Sequence, residues 1–364
     1  MKKKSLAVVL LVVLSLLAFR WWKGTGDDPR LLRTIDSRTT GDFGGTLSVN
    51  SDGSEFASGI TSRGNELIIW DSNGFLRNRF TKRENSLVDI QLTERSHRGF
   101  IRQIVFSPDW DAFVWCRQRL SPLSALGIWW LNGDSEMHSL LPAFARVYSV
   151  AVGPHAKQIA FHGFNDQTNS LELCVRTNSK LITLAGVPEH DTIRRMALSP
   201  DETRLLAIGL SEDIFMWDLA NERLTFSIEN SAIISNDAGN DTLVFSPDSK
   251  RFAIVEDGHG VDDVIRIRNS IDGSIEKEFT VGFQTYCLGF SPDWKWYVIN
   301  HPIPNTLKLH SLEDGRLVHT FKDPTGHRGQ FIDAAFSGDS RRMVTSSLRD
   351  RTYKIWDLTD IRSP

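Results

Sequence analysis

Short apolar runs, separated by turn residues, recur along this chain from about residue 46 to its end. Each run has the length of a short β-strand, and seven of them lead into the same kind of four-residue turn. Successive turns are 45–47 residues apart, except that the first two are 57 residues apart, which predicts an insertion within Lys82–Ser96. The seven turns are Val49–Asp52, Phe106–Asp109, Val152–His155, Leu198–Asp201, Phe245–Asp248, Phe290–Asp293 and Phe336–Asp339.

A second set of turns keeps the same period. Asn-Gly, Asp-Gly and related pairs supply the positive φ that tight hairpins need, so they mark turns between a third and a fourth strand. Two independent sets of turns with one period predict a ring of four-stranded units, a β-propeller. The pairs are Asn73-Gly74, Asn132-Gly133, Asn178-Ser179, Asn221-Glu222, Asp272-Gly273 and Asp314-Gly315. The predicted third strands are Leu67–Trp70, Gly127–Trp129, Leu171–Val175, Ile214–Trp217, Val264–Ile267, Thr306–Leu309 and Thr352–Trp356.

The seventh unit lacks a fourth strand, and the sequence offers one near its other end. Arg30–Ile35 has the pattern of Arg316–Phe321, the fourth strand of the sixth unit, and of Arg223–Ile228 in the fourth unit. We therefore expect the N-terminal strand to complete the last blade and close the ring, which removes exposed sheet edges. This overlap favours one seven-bladed β-propeller of four-stranded blades over two all-β domains.

The clearest unit is Gly326–Asp357, with a Gly-His pair, a Phe-Ser-x-Asp turn and a closing Trp-Asp. It resembles one repeat of the WD-repeat β-propeller family, and weaker copies of it fill the folded part of the chain. The resemblance implies a structural tetrad, a hydrogen-bond chain that fixes the blade. It also implies a non-enzymatic platform for protein partners. The four residues that match the tetrad are His327, Ser346, Asp350 and Trp356.

The N-terminus differs in kind from the repeats. Three lysines at positions 2–4 precede an apolar run from Leu6 to Phe19, and two tryptophans follow. This pattern predicts a signal-anchor helix that contacts the membrane through residues 5–22, or a signal peptide that is cleaved. Either alternative places the propeller on the extracytoplasmic side, periplasmic or luminal, or secreted after cleavage. The predicted parts are the signal-anchor or signal peptide (1–23), a linker (24–29) and the propeller (30–364).

Composition and charge exclude several function classes. A net charge of −3 does not provide the basic surface that nucleic-acid binding requires. Cys116, Cys174 and Cys287 lie in predicted strands of three different units and lack zinc-type spacing, so we expect buried hydrophobic residues rather than disulfides. The chain has no phosphate-binding loop, nucleophile elbow or paired-histidine metal motif, so the sequence predicts no enzyme activity and no cofactor.

Two groups of residues are candidates for binding. Trp110 and Trp294 take the turn position that usually holds glycine, and Trp296 follows; they either anchor a protein partner or pack over a neighbouring blade. Acidic residues before and within the fifth unit could ligate calcium, although their spacing fits no known calcium loop and a solvated acidic loop is the simpler interpretation. These acidic residues are Asp237, Asp241, Glu256, Asp257, Asp262 and Asp263.

These observations predict a membrane-anchored or secreted scaffold that binds proteins and is a monomeric ring. The alternative is a ligand or metal sensor, or an accessory enzyme subunit, that uses the face with long loops between second and third strands.

Overall fold

The structure is a computed structural model. It describes residues 28–37, 46–60, 66–80, 100–118, 126–131, 138–139, 144–189, 191–229, 243–256, 262–282, 286–302, 305–321, 331–347 and 351–361. The predicted signal-anchor helix (1–23) and the insertion within Lys82–Ser96 lie outside these ranges. Within them, no helix is long and apolar enough to cross a membrane.

The described strands form seven four-stranded antiparallel blades. Blades 1 to 6 each use four consecutive strands, and blade 7 combines the last three strands with the first. A single residue pair, Arg146 opposite Gln118, also joins blades 2 and 3. The strands are β1 Leu31–Asp36, β2 Thr46–Val49, β3 Glu55–Ile60, β4 Glu66–Asp71, β5 Leu76–Phe80, β6 Phe100–Phe106, β7 Ala112–Gln118, β8 Leu126–Trp130, β9 His138–Ser139, β10 Phe144–Val152, β11 Ile159–Asn165, β12 Ser170–Arg176, β13 Leu181–Leu184, β14 Ile193–Leu198, β15 Arg204–Gly209, β16 Ile214–Asp218, β17 Arg223–Ile228, β18 Leu243–Phe245, β19 Arg251–Glu256, β20 Asp263–Asn269, β21 Ile275–Gly282, β22 Tyr286–Phe290, β23 Trp296–Pro302, β24 Asn305–Ser311, β25 Leu317–Phe321, β26 Phe331–Phe336, β27 Arg342–Ser347 and β28 Thr352–Asp357.

The first turns confirm the repeat spacing. Each of the seven first strands ends at the first residue of its predicted turn, from β2 at Val49 to β26 at Phe336. In every blade, the residue four positions after this strand end has positive φ. Its N–H donates a hydrogen bond to the carbonyl of the residue three positions before it, which closes the turn. A left-handed residue at a fixed place reverses the chain in the same way each time. These residues are Gly53, Trp110, Ala156, Glu202, Ser249, Trp294 and Ser340.

The ring is closed as predicted, by β1. This strand pairs antiparallel with β28 from Leu31↔Trp356 to Asp36↔Thr352. At one end of the pair, the Ser37 N–H and hydroxyl both donate to the Arg351 carbonyl, at 3.0 and 2.7 Å. The closing strand therefore forms a full antiparallel ladder with the last strand of blade 7.

The core lies between the blades. Middle strands are buried on both faces, as in β15 and β16 of blade 4, because a neighbouring blade covers each face. The outer strand β17 instead alternates exposed and half-buried residues. The sequence prediction for the cysteines is confirmed for Cys116 and Cys174, which are free and buried. Burial raises the pKa of the Cys174 thiol to about 12, so that thiol is inert.

The indole of Trp356 has a different hydroxyl partner from the predicted one. Its Nε1–H donates to Thr345 Oγ1 at 2.9 Å, while Ser346 Oγ is buried without a hydrogen-bond partner among the described residues. Neighbouring strand residues point to opposite faces, so Ser346 points away from the face that Thr345 shares with this indole. The prediction of Ser346 is wrong; His327 and Asp350 lie outside the described residues.

Two other blades also brace their third-strand tryptophan. In blade 1, Trp70 Nε1 donates to Ser58 Oγ at 3.1 Å. In blade 4, Trp217 Nε1 donates to the Ala185 carbonyl at 2.8 Å. A hydrogen bond from the indole to a second-strand hydroxyl thus occurs both in blade 7 and in the adjacent blade 1.

Candidate partner-binding face

The first turns and the hairpins between third and fourth strands lie at the same end of the ring, because consecutive strands are antiparallel. We call this end the turn face. Its turns are built alike in blades 4 to 7, where the serine hydroxyl donates to the aspartate two residues later at 2.6–2.8 Å and accepts the N–H of the residue five positions later. The Phe-Ser-x-Asp sequence therefore specifies a rigid turn.

Contacts between neighbouring turns run along the turn face. The Asp201 N–H donates to Ser249 Oγ across blades 4 and 5, and the Asp293 N–H donates to Ser340 Oγ across blades 6 and 7, both at 3.1 Å. The Asp339 N–H donates to the Ser51 carbonyl at 2.7 Å and links blade 7 to blade 1. The turn face is thus a connected rim rather than a set of independent loops.

Trp294 lies in this rim between blades 5 and 6. It is half-buried with φ 63°, and the guanidinium of Arg251 from blade 5 stands 5.0 Å from its ring centroid. A cation over an indole contributes about 0.5–1 kcal/mol at a partly exposed site. The alternative that the indole packs over its neighbouring blade is therefore confirmed for Trp294, which stays half-buried.

A groove of about 510 Å³ opens beside Trp294. Charges of both signs line it, and part of them are paired: Lys295 Nζ lies 2.9 Å from Asp293 Oδ2, and Lys277 Nζ donates to the Glu313 carbonyl at 2.8 Å. The groove is therefore polar at its margins, with an aromatic side chain and the neighbouring strand residue Ile267 in its lining.

The other two tryptophans differ from Trp294. Trp110 also has φ 63°, but its ring stacks on Phe106 of its own blade, with centroids 4.4 Å apart and planes inclined by 15°. Trp296 is only 4% exposed and packs in the core between blades 6 and 7. The prediction of Trp296 as a partner contact is wrong, because it begins strand β23 and its side chain points toward blade 7.

Exposed apolar side chains concentrate at the turn face. Among the described residues, seven of the eight exposed large hydrophobic side chains lie in its hairpins or at the adjoining ends of outer strands. The eighth, Leu210, follows β15 at the opposite end. Loops at that opposite end lie largely outside the described residues. The seven are Leu32, Phe75, Leu76, Leu181, Ile271, Ile275 and Leu317.

Of the three predicted calcium ligands that the structure describes, Glu256 is the one whose contacts are decisive. Glu256 is fully buried in β19 and accepts from Arg268 Nε and NH2 at 2.5 and 2.8 Å and from Arg266 NH1 at 2.8 Å. Its carboxylate neutralises two guanidinium groups, so its prediction as a calcium ligand is wrong. Asp262 and Asp263 are half-buried; Asp237, Asp241 and Asp257 lie outside the described residues.

A different group of metal-ligating side chains lies between blades 2 and 3. Asp109, Asp111 and His155 place their ligand atoms within 4.8 Å of one another. His155 Nδ1 lies 2.7 Å from Asp111 Oδ2 and in close contact with Asp109 Oδ2, which also accepts the His155 backbone N–H at 2.6 Å. Burial works against ionisation of Asp109, but the hydrogen bonds it accepts outweigh burial and lower the pKa of this carboxyl.

Sequence reasoning missed this group, although a signal was present. Asp109 and His155 hold the same position of two successive turns, 46 residues apart. The repeat interval alone therefore predicts that they neighbour each other on the turn face.

Comparisons with known proteins support the family suggested by the fold. Residues 315–357 match the family model "WD domain, G-beta repeat". The β-propeller domain of Cps50 (Swd1) from Myceliophteria thermophila is similar in structure, with a TM-score of 0.62 and 16% sequence identity; the match covers 90% of this chain and 99% of that chain. A chain of a mitotic checkpoint complex is also similar, with a TM-score of 0.62 and 17% sequence identity; the match covers 92% of this chain and 98% of that chain. These two structures show the fold.

One curated relative is also similar. The meiotic recombination protein rec14 of Schizosaccharomyces pombe is 26% identical over 174 residues, which cover 46% of this chain and 52% of that protein. The chain thus matches about half the length of this relative. Propellers of the WD-repeat family are typically non-catalytic scaffolds for protein interactions.

Proposed function

We propose that this WD-repeat-like propeller is a non-catalytic scaffold on the extracytoplasmic side of a membrane, and that it binds a protein partner through the turn face at blades 5 and 6. The observation that carries the proposal is the groove beside Trp294. The groove contains a half-buried indole, and the turn face of the same two blades exposes Ile271, Ile275 and Leu317.

This combination has the composition of a protein-binding surface. Interfaces have an aromatic or aliphatic centre and a polar rim, and tryptophan and arginine are frequent among the residues that dominate binding. Trp294 and Arg251 form such a pair, and the backbone N–H group of each is hydrogen-bonded within the turn of its own blade. Because the anchor is ordered before the partner arrives, little side-chain entropy is lost on binding.

The groove favours a protein over a small polar metabolite. Its charged side chains include one contact to a neighbouring carboxylate and one to a backbone carbonyl within the chain. The exposed isoleucines and Leu317 lie outside the groove, where only an extended partner surface would cover them. A ligand sensor or an accessory enzyme subunit would need a convergent polar site instead.

The test compares two matched surface changes in the full-length protein. The double variant Ile271→Ser/Ile275→Ser removes apolar surface at the turn face, and Leu210→Ser removes a leucine at the opposite end that is about as exposed as Ile275. Crosslinking in native membranes followed by mass spectrometry should recover a protein partner with wild type and with Leu210→Ser, and lose it with the double variant. Equal recovery from both variants would exclude the turn face as the binding surface.

The extracytoplasmic location rests on the sequence of residues 1–23, in which lysines precede a short apolar run. Protease treatment of intact cells or spheroplasts carrying a C-terminal tag tests it. Digestion of the tag from outside is expected; digestion only after the cytoplasmic side is exposed contradicts the proposed location and leaves the scaffold role to the crosslinking experiment.

A further inference from the structure

We infer that Asp109, Asp111 and His155 form a site for a zinc-like divalent cation that clamps the first turns of blades 2 and 3 together. The three side chains come from two blades and meet on the turn face, apart from the groove between blades 5 and 6. Their ligand atoms converge within 4.8 Å, and His155 is the most exposed of the three.

The contacts around His155 favour a cation. Two carboxylate oxygens, Asp109 Oδ2 and Asp111 Oδ2, face the same nitrogen, Nδ1. That nitrogen carries at most one hydrogen, so it cannot give each carboxylate its own hydrogen bond. The two carboxylates then repel each other across the imidazole. A divalent cation bound to all three groups would remove this repulsion and use every one of these atoms as a ligand.

Asp109 departs from the repeat in a way that fits this role. In blades 4 to 7 the turn aspartate accepts a hydrogen bond from the turn serine through Oδ1. In blade 2, Oδ1 of Asp109 is buried and has no hydrogen-bond partner among the described residues, and Oδ2 is directed at His155. One oxygen of this carboxylate, Oδ2, is therefore directed at the next blade rather than into its own turn.

The donor set selects the kind of metal. One imidazole nitrogen and two carboxylates match zinc and similar transition metals, whereas calcium and magnesium prefer oxygen ligands alone. Zinc binds nitrogen and oxygen at about 2.0–2.2 Å, so the ligand atoms would move apart slightly on binding. His155 is exposed, so its side chain can make this movement. With three protein ligands, a bound zinc would have a fourth coordination position for a water molecule.

Calorimetric titration of zinc chloride into the full-length protein, freed of its affinity tag and treated with EDTA, tests the site. We expect one equivalent to bind to wild type, and a rise in melting temperature that EDTA reverses. Asp111→Asn, which keeps the shape of the side chain, and His155→Gln should each weaken binding by roughly 10–100-fold or more.

His319→Gln is the matched control. His319 Nε2 lies 2.9 Å from Asp28 Oδ2, so among the described residues it is a histidine with one carboxylate partner. Zinc affinity should be unchanged in this variant. The inference is overturned if wild type gives no zinc heat, or if Asp111→Asn and His155→Gln bind zinc as tightly as wild type while their melting temperatures without metal show that they are folded.

Discussion

The hydrogen bond between Trp356 and Thr345 should make a measurable contribution to the stability of blade 7. Replacing Thr345 by valine keeps the shape of the side chain and removes the acceptor of the Trp356 indole N–H at 2.9 Å. Both residues are fully buried, so the indole N–H would be left unpaired and away from water. Such a group costs about 1–3 kcal/mol. We expect the free energy of unfolding to fall by that amount.

Urea denaturation followed by tryptophan fluorescence measures this change. With an unfolding entropy of about 2.1 cal/mol/K per residue, a loss of about 2 kcal/mol lowers Tm by about 3 °C for a chain of 364 residues. Thr345→Ser retains a hydroxyl at the same position and should lose less. Trp356→Phe in the Thr345→Val background removes the unpaired donor, so the two changes should be less than additive.

The neighbouring residue supplies the control. Ser346 is equally buried, but its hydroxyl has no hydrogen-bond partner among the described residues. Ser346→Ala should therefore leave stability within about 0.5 kcal/mol of wild type. The reasoning is refuted if Ser346→Ala destabilises the protein as much as Thr345→Val, because Ser346 would then be the residue that braces the blade.

Three further outcomes are expected. Burial lowers the pKa of His162 to about 4 in the folded protein, whereas a histidine in the unfolded chain has a pKa of about 6.5 and binds a proton first. About 3 kcal/mol of stability that is present above pH 6.5 should therefore be lost as the pH falls to about 4. His162→Gln should make the free energy of unfolding less dependent on pH, as measured by urea titrations at several pH values. Glu256→Gln leaves the buried Arg268 without its counter-charge and should cost about 3–5 kcal/mol by the same assay. Trp296→Ala opens a cavity in the core between blades 6 and 7 and should also cost about 3–5 kcal/mol, whereas a surface residue would change stability by less than about 0.5 kcal/mol.

The ring could be predicted from the sequence because its turns are local. A Phe-Ser-x-Asp turn depends on hydrogen bonds within about five residues, as between Ser199, Asp201 and Arg204. The same short sequence motif therefore recurs in the repeats. The closing strand β1 was also predictable, since its pattern matches other outer strands.

The site was less predictable because its contacts depend on register between strands. The run Thr345-Ser346-Ser347 offers three hydroxyls, and only the pairing of Thr345 with Lys354 fixes which one faces the indole. Counting from the turn would have found it: Thr345 stands six residues after Asp339, as Ser58 stands six after Asp52. Glu256 looked like part of an acidic surface because its arginine partners lie on the next strand, at a distance in sequence that composition does not reveal.

Pairing of β1 with β28 has a consequence for how the chain folds during synthesis. Ser37 and Arg351, which bond at this junction, are 314 residues apart. Strand β1 is synthesised well before β28 and must wait for it, and until then β1 has an unpaired edge. Contacts this distant in sequence make folding slow and leave the intermediate open to aggregation. We expect refolding to show a late phase that disappears when residues 31–36 are deleted, and nascent chains arrested before β28 to depend on chaperones.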